Sequence, residues 1–320
     1  MKLASSARSF ARRGARLLHR TTGRCQPPIR VHRFPRERAD LFLTDRRPEG
    51  KDLVSQVCRH ATLSSQTFRR WLERLQQPWQ AHRKNWELAY ICQTLDERGM
   101  LRPGMRGLGF AVGAEKLPSV FAAAGCRITA TDLASHDDRS RHWAASGQWV
   151  GELEGLNAAG LCPPHEFRAL VGYRPVDMNA IPADLRDYDF TWSTCSFEHC
   201  GSLDLGLQFL ERQLECLRPG GIAVHTTEFN LSSNHDTLRS GPCVIYRLRD
   251  IESICHRLVR QGHHVEPIDP DPGETELDRF VDPPPYGQSA SRPQGMVKHL
   301  RLNLAGFATT SIGLIIRKAA

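Results

Sequence analysis

The sequence lacks features that mark several classes of protein. No run of about 18 apolar residues occurs in its 320 residues, which argues against a membrane-spanning helix. No Cys-x-x-Cys pair occurs, and the ten cysteines are spread along the chain, so neither a zinc site nor a disulfide framework is predicted. Cys195 and Cys200 flank Glu198 and His199, but this spacing suits no common structural zinc site. We therefore expect no metal, and cysteines that are small core residues in a reducing compartment.

Acidic residues are absent from the first 36 positions, which hold ten lysines and arginines. Removing these ten from the formal net charge of +8 leaves −2 for the rest of the chain. The folded body is therefore close to neutral. This near-neutral net charge argues against a surface that binds along a phosphate backbone, and no nucleic-acid partner is expected.

The basic segment also lacks the sustained apolar stretch of a secretory signal peptide, so a cytoplasmic location is expected. Its Arg- and Ser-rich composition is compatible with a transit peptide, an interfacial helix on anionic lipid, or an unstructured extension. We predict a disordered tail over residues 1–52, with weak contact to anionic membranes. A helical N-terminal cap over 53–100 and a main domain over 101–320 are predicted to follow.

The stretch from Arg106 to Leu133 carries the strongest pattern. A short apolar run leads into a small-residue turn at 109–113, an amphipathic helix ends at Gly125, and a second apolar run ends at Asp132. Such β-turn-α-β units bind nucleotides, because small residues let the backbone approach the ligand and the acid accepts hydrogen bonds from ribose. Tight strand-to-helix packing would also explain the turn, but the acid about 20 residues on favours a nucleotide.

The spacing of the glycines indicates which nucleotide. Gly109 and Gly113 lie four apart, whereas the first and third glycines of the dinucleotide motif G-x-G-x-x-G lie five apart. The shorter spacing resembles the first motif, G-x-G-x-G, of class I S-adenosylmethionine (SAM)-dependent methyltransferases. Ala111 replaces the middle glycine of that motif. Gly107 stands where this family often has an acid that contacts the methionine end of SAM, so another group must supply that contact.

Later segments resemble further motifs of the family in the same order. Asp177-Met178-Asn179 follows a short predicted strand, and the resemblance implies that Asp177 accepts from the adenine amine while the Met178 N–H reaches the ring. A predicted fourth strand leads into Cys195-Ser-Phe-Glu198-His199, and Arg218-Pro-Gly-Gly221 precedes a predicted fifth strand. A Pro-rich loop and a closing strand at 308–316 agree with the family's antiparallel last hairpin, which a dinucleotide oxidoreductase does not predict.

A cluster of polar residues lies between two helices predicted within residues 53–99. It reads His82-Arg83-Lys84-Asn-Trp86-Glu87. One interpretation is a solvated helix start. The other is a cap on the nucleotide pocket, in which Arg83 or Lys84 meets the SAM carboxylate and Trp86 forms a wall.

These patterns predict a doubly wound α/β fold with a seven-stranded, mostly parallel sheet, an antiparallel last strand and an N-terminal helical cap. The resemblance implies a SAM-dependent methyltransferase. The neutral body and the polar, His- and Glu-bearing strand ends favour a small-molecule or saccharide acceptor, methylated at a hydroxyl oxygen. The alternatives are an NAD-type oxidoreductase and a non-catalytic SAM-binding protein. His199 is the predicted base, Glu228 is expected to orient the acceptor, and Glu198 is a third catalytic candidate. Helix capping is the other explanation of Glu198 and His199. The residues predicted to bind the cofactor are Gly107, Gly109, Ala111, Gly113, Asp132, Leu133, Asp177, Met178, Asn179, Ser193, Arg83 and Trp86.

Deletion of residues 1–36 should leave the melting temperature nearly unchanged, because this segment has too little apolar surface to join a core. Scanning calorimetry of the full and shortened proteins measures the effect. Failure of the shortened protein to fold would make the segment structural.

Overall fold

The computed structural model describes residues 42–140, 153–286 and 298–320. Most of the predicted tail, with its predicted membrane contact, lies outside the described residues. Within those ranges, no helix is long and apolar enough to cross a membrane.

The secondary structure of the described residues alternates between strands and helices. The strands are β1 (Ser55–Val57), β2 (Ala81–His82), β3 (Arg106–Gly109), β4 (Arg127–Asp132), β5 (Val171–Pro175), β6 (Tyr188–Thr194), β7 (Leu217–Asn230), β8 (His264–Val265), β9 (Ile268–Asp269), β10 (Val281–Asp282), β11 (Lys298–His299), β12 (Arg301–Leu304) and β13 (Phe307–Arg317). The α-helices are α1 (His60–Ser64), α2 (Gln66–Arg74), α3 (Arg83–Glu97), α4 (Leu117–Ala123), α5 (Pro164–Leu170), α6 (Leu203–Arg212), α7 (Leu248–Arg260) and α8 (Glu276–Arg279). Short 3₁₀ turns lie at Glu154–Asn157, Phe197–His199 and Gln213–Cys216.

The main sheet has its long strands in the order β5-β4-β3-β6-β7-β13. Neighbouring strands are parallel from β5 to β7, and β13 runs antiparallel to β7. From β3, the chain moves outward to β4 and β5 and then returns to β6 on the other side. This reversal opens a crevice at the carboxyl ends of β3 and β6, where open α/β sheets bind ligands. The predicted doubly wound fold with an antiparallel last strand is confirmed.

Two hydrophobic cores lie against the sheet, and alternate side chains of one strand enter different cores. On β7, Ala223 belongs to one core, whereas Ile222 and Val224 belong to the other. The first core includes Phe209 of α6 and Ile251 of α7; the second includes residues of α3 and α4, among them Trp86 and Phe121. Because side chains of a strand alternate between faces, helices cover both faces of the sheet.

The free edge of β13 is covered by three short strands in turn. β12 pairs with its first residues, β1 pairs at Ile312 and Gly313, and β8 pairs at Ile316 and Arg317. A long exposed edge would leave backbone N–H and C=O groups without partners. This requirement explains why the sheet has eleven strands where seven were predicted, and why the predicted sixth strand is divided into β8 and β9.

The N-terminal segment is part of the main fold, which corrects two predicted boundaries. Strand β1 comes from the segment predicted to be a separate helical cap. Phe42 and Leu43 lie within the predicted disordered tail, over residues 1–52. Phe42 is nevertheless buried in the core, and Leu43 forms a β-bridge with Ile268. The prediction failed here because these pairings join residues far apart in the chain, and no local pattern encodes them.

The strand β7 is longer than predicted. Residues 218–221 were expected to form a turn before it, but the strand begins at Leu217. Gly220, with a φ of +74°, donates its N–H to the Lys318 carbonyl, and Gly221 accepts from the Lys318 N–H. The chain after β13 therefore extends the ladder through this glycine pair.

Gly313→Ala should destabilise the protein, because a Cβ there would overlap the ring of Tyr90, which is buried and donates to the Val54 carbonyl at 2.8 Å. We expect a loss of about 1–3 kcal/mol in the free energy of unfolding, the usual cost of overpacking. Urea denaturation measures it. Gly172→Ala in β5 is the matched control, since a Cβ there meets no atom within 4 Å. Equal effects of the two substitutions would contradict the proposed role of close packing at Gly313.

Candidate functional site

The glycine turn follows β3 and has a tight backbone. Ala111 and Gly113 have φ values of +48° and +55°, in the left-handed region that favours glycine. At Gly109 a Cβ would overlap the Trp192 ring, so only glycine fits there. The Val112 N–H donates to the Thr131 carbonyl at 3.0 Å, which ties the turn to the end of β4. The turn thus presents closely packed backbone at the crevice.

The carboxylate of Asp132 completes this turn. It accepts the Gly113 N–H at 2.8 Å on one oxygen and the Leu133 N–H at 2.7 Å on the other. Burial raises the pKa of Asp132 against the effect of these two hydrogen bonds. A carboxylate offers about four acceptor positions, so two remain for ribose hydroxyls.

The turn after β5 is arranged by Asp177. One oxygen accepts the Asn179 N–H at 2.9 Å, and the other pairs with Arg139 at 2.7 Å. Met178 is buried, and the Asn179 side chain donates to the Cys200 carbonyl at 3.2 Å. Three of the predicted residues therefore form one ordered turn next to the end of β4.

A buried polar cluster joins α3 to the carboxyl ends of β6 and β7. The Arg83 guanidinium contacts Glu87 at 3.0 Å and Glu228 at 2.9 Å, and it donates to the Ser311 hydroxyl at 3.2 Å. The Arg83 side chain is 14% exposed, while Glu87 is fully buried. Ser311 lies opposite Glu228 in the pairing of β13 with β7. Arg83 is thus already engaged by protein groups.

Lys84 is the more accessible cation of the cluster. Its ammonium lies 2.8 Å from the second oxygen of Glu87, and its side chain is 43% exposed. Burial acts to raise the pKa of Glu87, but Lys84 and then Arg83 outweigh it and lower the pKa to about 2. Cys195, with a φ of +46°, donates its thiol to Glu87 at 3.1 Å. Glu87 therefore stays ionised and holds both cations.

Glu198 and His199 lie on the 3₁₀ turn that follows β6. Glu198 is buried and accepts the Thr227 hydroxyl at 3.0 Å, and burial raises its pKa to about 7 against the nearby Lys84. His199 is half-buried, with Nδ1 2.6 Å from the Pro242 carbonyl. Burial lowers the pKa of His199 to about 4, partly offset by the Pro242 carbonyl. This pKa lies well below the ordinary histidine value of 6.5, so His199 is neutral over most of the physiological pH range.

Some predicted site residues lie in the packed interior. Trp86 is fully buried and stacked on Tyr90 with 4.6 Å between ring centroids. The Ser193 hydroxyl lies 2.8 Å from Nδ1 of His225, inside the core between β6 and β7. Gly107 is buried within β3 under the Phe190 ring. The structure thus brings Arg83, Glu198 and Glu228 together, and it places Trp86, Ser193 and Gly107 in the interior.

Sequence reasoning missed Glu115 and assigned no role to Glu87. Glu115 comes two residues after Gly113, and its Oε2 is buried with no hydrogen-bond partner in the described ranges besides the Thr194 hydroxyl. Burial raises its pKa to about 8, with the Thr194 hydroxyl opposing. The sequence did contain a signal for Glu115, since it is an acidic residue close to the glycine turn.

Comparison with known proteins supports the assignment of the fold. No family model matches the chain. It is 35% identical over 88 residues to the malonyl-[acyl-carrier protein] O-methyltransferase of Enterobacter lignolyticus, which is 28% of this chain and 34% of that protein. It is 28% identical over 122 residues to the enzyme of the same name from Erwinia billingiae, which is 37% of this chain and 47% of that protein. The matches span about a third to a half of these relatives' length.

These sequence matches and the strand order agree with one another. These findings support the resemblance of the chain to class I SAM-dependent methyltransferases. Solved structures of this family resemble it more distantly. A SAM-dependent methyltransferase from Clostridium acetobutylicum has a TM-score of 0.41 at 13% identity, covering 74% of this chain and 92% of its own. Magnesium protoporphyrin IX methyltransferase from Synechocystis has a TM-score of 0.41 at 11% identity, covering 80% and 96%.

Glu198 should make the stability of this methyltransferase homologue depend on pH. Its folded-state pKa of about 7 lies above the ordinary value of 4.5, so its contribution to stability is complete below pH 4.5 and is lost as the pH rises through 7. Between pH 4.5 and 8, the ionisation of Glu198 should therefore lower the free energy of unfolding of the wild type by about 3 kcal/mol. Glu198→Gln has no carboxyl at this position, so it should not show this part of the loss. Chemical denaturation at both pH values measures this difference. Glu215→Gln, exposed on the 3₁₀ turn before β7, is the control, and parallel profiles for Glu198→Gln and wild type would contradict the assignment.

Proposed function

We propose that the chain is a SAM-dependent methyltransferase that methylates an oxygen atom of a small-molecule or saccharide acceptor. The observation that supports this most is the line of carboxyl groups along the crevice at the switch point of the sheet. In the described part of the chain, five of them, Asp132, Glu115, Glu87, Glu198 and Glu228, lie with the two cations of the cluster, Arg83 and Lys84. A crevice with surplus carboxyl groups favours a ligand with net positive charge.

The residues of the crevice fit the parts of SAM in order along the sheet. Asp132, at the end of β4, has acceptor positions for the ribose hydroxyls, and Asp177, two residues after β5, would accept from the adenine amine. On the other side of the turn, Lys84 is the exposed cation for a carboxylate. Of the two cations predicted to meet the SAM carboxylate, we favour Lys84, because Arg83 is already paired with Glu87 and Glu228.

The chemistry needs positioning more than it needs reactive side chains. When bound, SAM supplies a methyl group made electrophilic by its sulfonium. The chain's part is to hold the acceptor oxygen in line and to take its proton. The relatives are named as O-methyltransferases, which supports oxygen as the acceptor atom.

Glu198 is a better base than His199 in this site, which revises the predicted roles. General bases work best when their pKa lies near the operating pH. The pKa of Glu198 is about 7, whereas that of His199 is about 4. Glu228 remains the residue that orients the acceptor, since its ion pair with Arg83 fixes its position at the end of β7.

Calorimetry tests the cofactor. The purified protein should bind SAM and S-adenosylhomocysteine at micromolar concentration or below, and it should not bind NAD. Asp132→Asn should weaken S-adenosylhomocysteine about 10- to 150-fold, the loss of hydrogen bonds to a charged group worth about 1.5–3 kcal/mol. Asp204→Asn, exposed on α6, is the control. Binding of NAD, or no binding of SAM, would reject the proposal.

The pH dependence of turnover tests the base. An acceptor is first found by release of S-adenosylhomocysteine in the presence of hydroxylated and carboxylated compounds. The kcat/KM of the wild type should then rise with pH through about 7, where Glu198 ionises. Glu198→Gln should lower kcat by roughly 10²–10⁴-fold and abolish this rise, with the affinity for SAM little changed. If His199→Ala has that effect and Glu198→Gln does not, His199 is the base.

A further inference from the structure

The family's usual acid before the glycine turn has no room in this chain. Gly107 occupies its position, and a Cβ there would overlap the ring of Phe190 and the side chain of Ile128. Phe190 is fully buried on the neighbouring strand β6, so it cannot move aside cheaply. A carboxylate for the methionine end of SAM must therefore come from another part of the chain.

Glu115 lies just after the same turn, six residues after β3 ends. Its backbone N–H donates to the Val112 carbonyl at 3.0 Å, which turns the chain at this point. The next residue, Lys116, donates to the carbonyls of Leu75 and Gln76 at 3.0 and 2.9 Å. The backbone that carries Glu115 is thus held on both sides.

The side chain of Glu115 lies beside the Thr194 hydroxyl at the end of β6. Oε2 of Glu115 and this hydroxyl are both buried, and apart from their contact with each other neither has a hydrogen-bond partner among the described residues. Lys84 and Asp132 are close enough to act on the Glu115 carboxyl electrostatically. A buried carboxyl oxygen with so few partners is uncommon in folded proteins, and a missing ligand is one explanation of it.

The strand order decides which end of the ligand Glu115 would meet. Under the proposed function, Asp132 on β4 and Asp177 after β5 hold the adenosine. In the order β5-β4-β3-β6, the opposite end of the ligand then lies toward β6. That side holds Thr194 at the end of β6 and Lys84 at the start of α3.

We propose that Glu115 binds the α-ammonium group of the methionine part of SAM, in place of the acid that Gly107 excludes, while Lys84 binds the neighbouring carboxylate. This inference rests on the proposed function. The ammonium donates to Oε2 of Glu115 and to the Thr194 hydroxyl, so both groups gain a further partner. The raised pKa of Glu115 agrees with a carboxyl that lacks its cation, and arrival of the ammonium stabilises the ionised form.

A comparison of two ligands tests the proposal by calorimetry. S-adenosylhomocysteine carries the ammonium, whereas 5′-methylthioadenosine lacks the whole amino-acid part. Glu115→Gln should weaken S-adenosylhomocysteine by roughly 10- to 100-fold, as expected for loss of a buried charged hydrogen bond, and should leave 5′-methylthioadenosine within about twofold. Glu73→Gln, exposed on α2, is the matched control and should change neither affinity.

Proton release gives a second, independent result. In the protein without ligand, the pKa of Glu115 is about 8, so the carboxyl is largely protonated at pH 7. It should lose its proton when the ammonium binds. Calorimetry in buffers of different ionisation enthalpy should therefore show proton release with S-adenosylhomocysteine for the wild type, and much less for Glu115→Gln. Gln resembles the protonated carboxyl, so the melting temperature of the variant should stay close to that of the wild type.

The outcomes separate this inference from the proposed function. If Glu115→Gln binds S-adenosylhomocysteine as well as the wild type does, or loses both ligands equally, the role of Glu115 is overturned and the methyltransferase assignment stands. If the wild type binds neither ligand, the proposed function fails, and this inference fails with it.

Discussion

The guanidinium of Arg83 lies between the carboxylates of Glu87 and Glu228, and the position of α3 over the sheet depends on this contact. Charges buried this deeply are stable only when paired, and removal of one partner costs about 3–5 kcal/mol. The interaction holds the N-terminal segment against the carboxyl ends of β6 and β7. The crevice of the doubly wound sheet is therefore closed on one side by a segment that is distant in the chain.

The same contact determines the electrostatics of the crevice. Glu87 takes both nearby cations and remains ionised, with a pKa of about 2. Glu198 and Glu115, which are left with weaker partners, have pKa values raised by burial to about 7 and about 8. One pairing thus separates carboxyl groups that stabilise the fold from carboxyl groups that are able to exchange protons or bind a cation.

Packing against the sheet explains one departure from the family's glycine motif, the glycine at position 107. Phe190 and Trp192 of β6 lie over Gly107 and Gly109, so neither position accepts a side chain. Ala111 adopts a left-handed φ of +48° where a glycine would be easier. The bulky aromatic residues of β6 therefore constrain the turn that precedes them in the chain.

The sequence alone determined the class of fold and the location of its central unit. The apolar runs, the turn at Gly109 to Gly113 and the acid at Asp132 are local patterns, because a strand or an amphipathic helix repeats every two or about four residues. The doubly wound, mostly parallel sheet with its antiparallel last strand was predicted from these patterns and from the family resemblance, and it is confirmed. Only the tertiary structure decided which side chains face the crevice. Trp86 lies in the core, Arg83 is engaged by Glu228 and β1 covers the edge of β13, since each of these contacts joins residues that no local pattern relates.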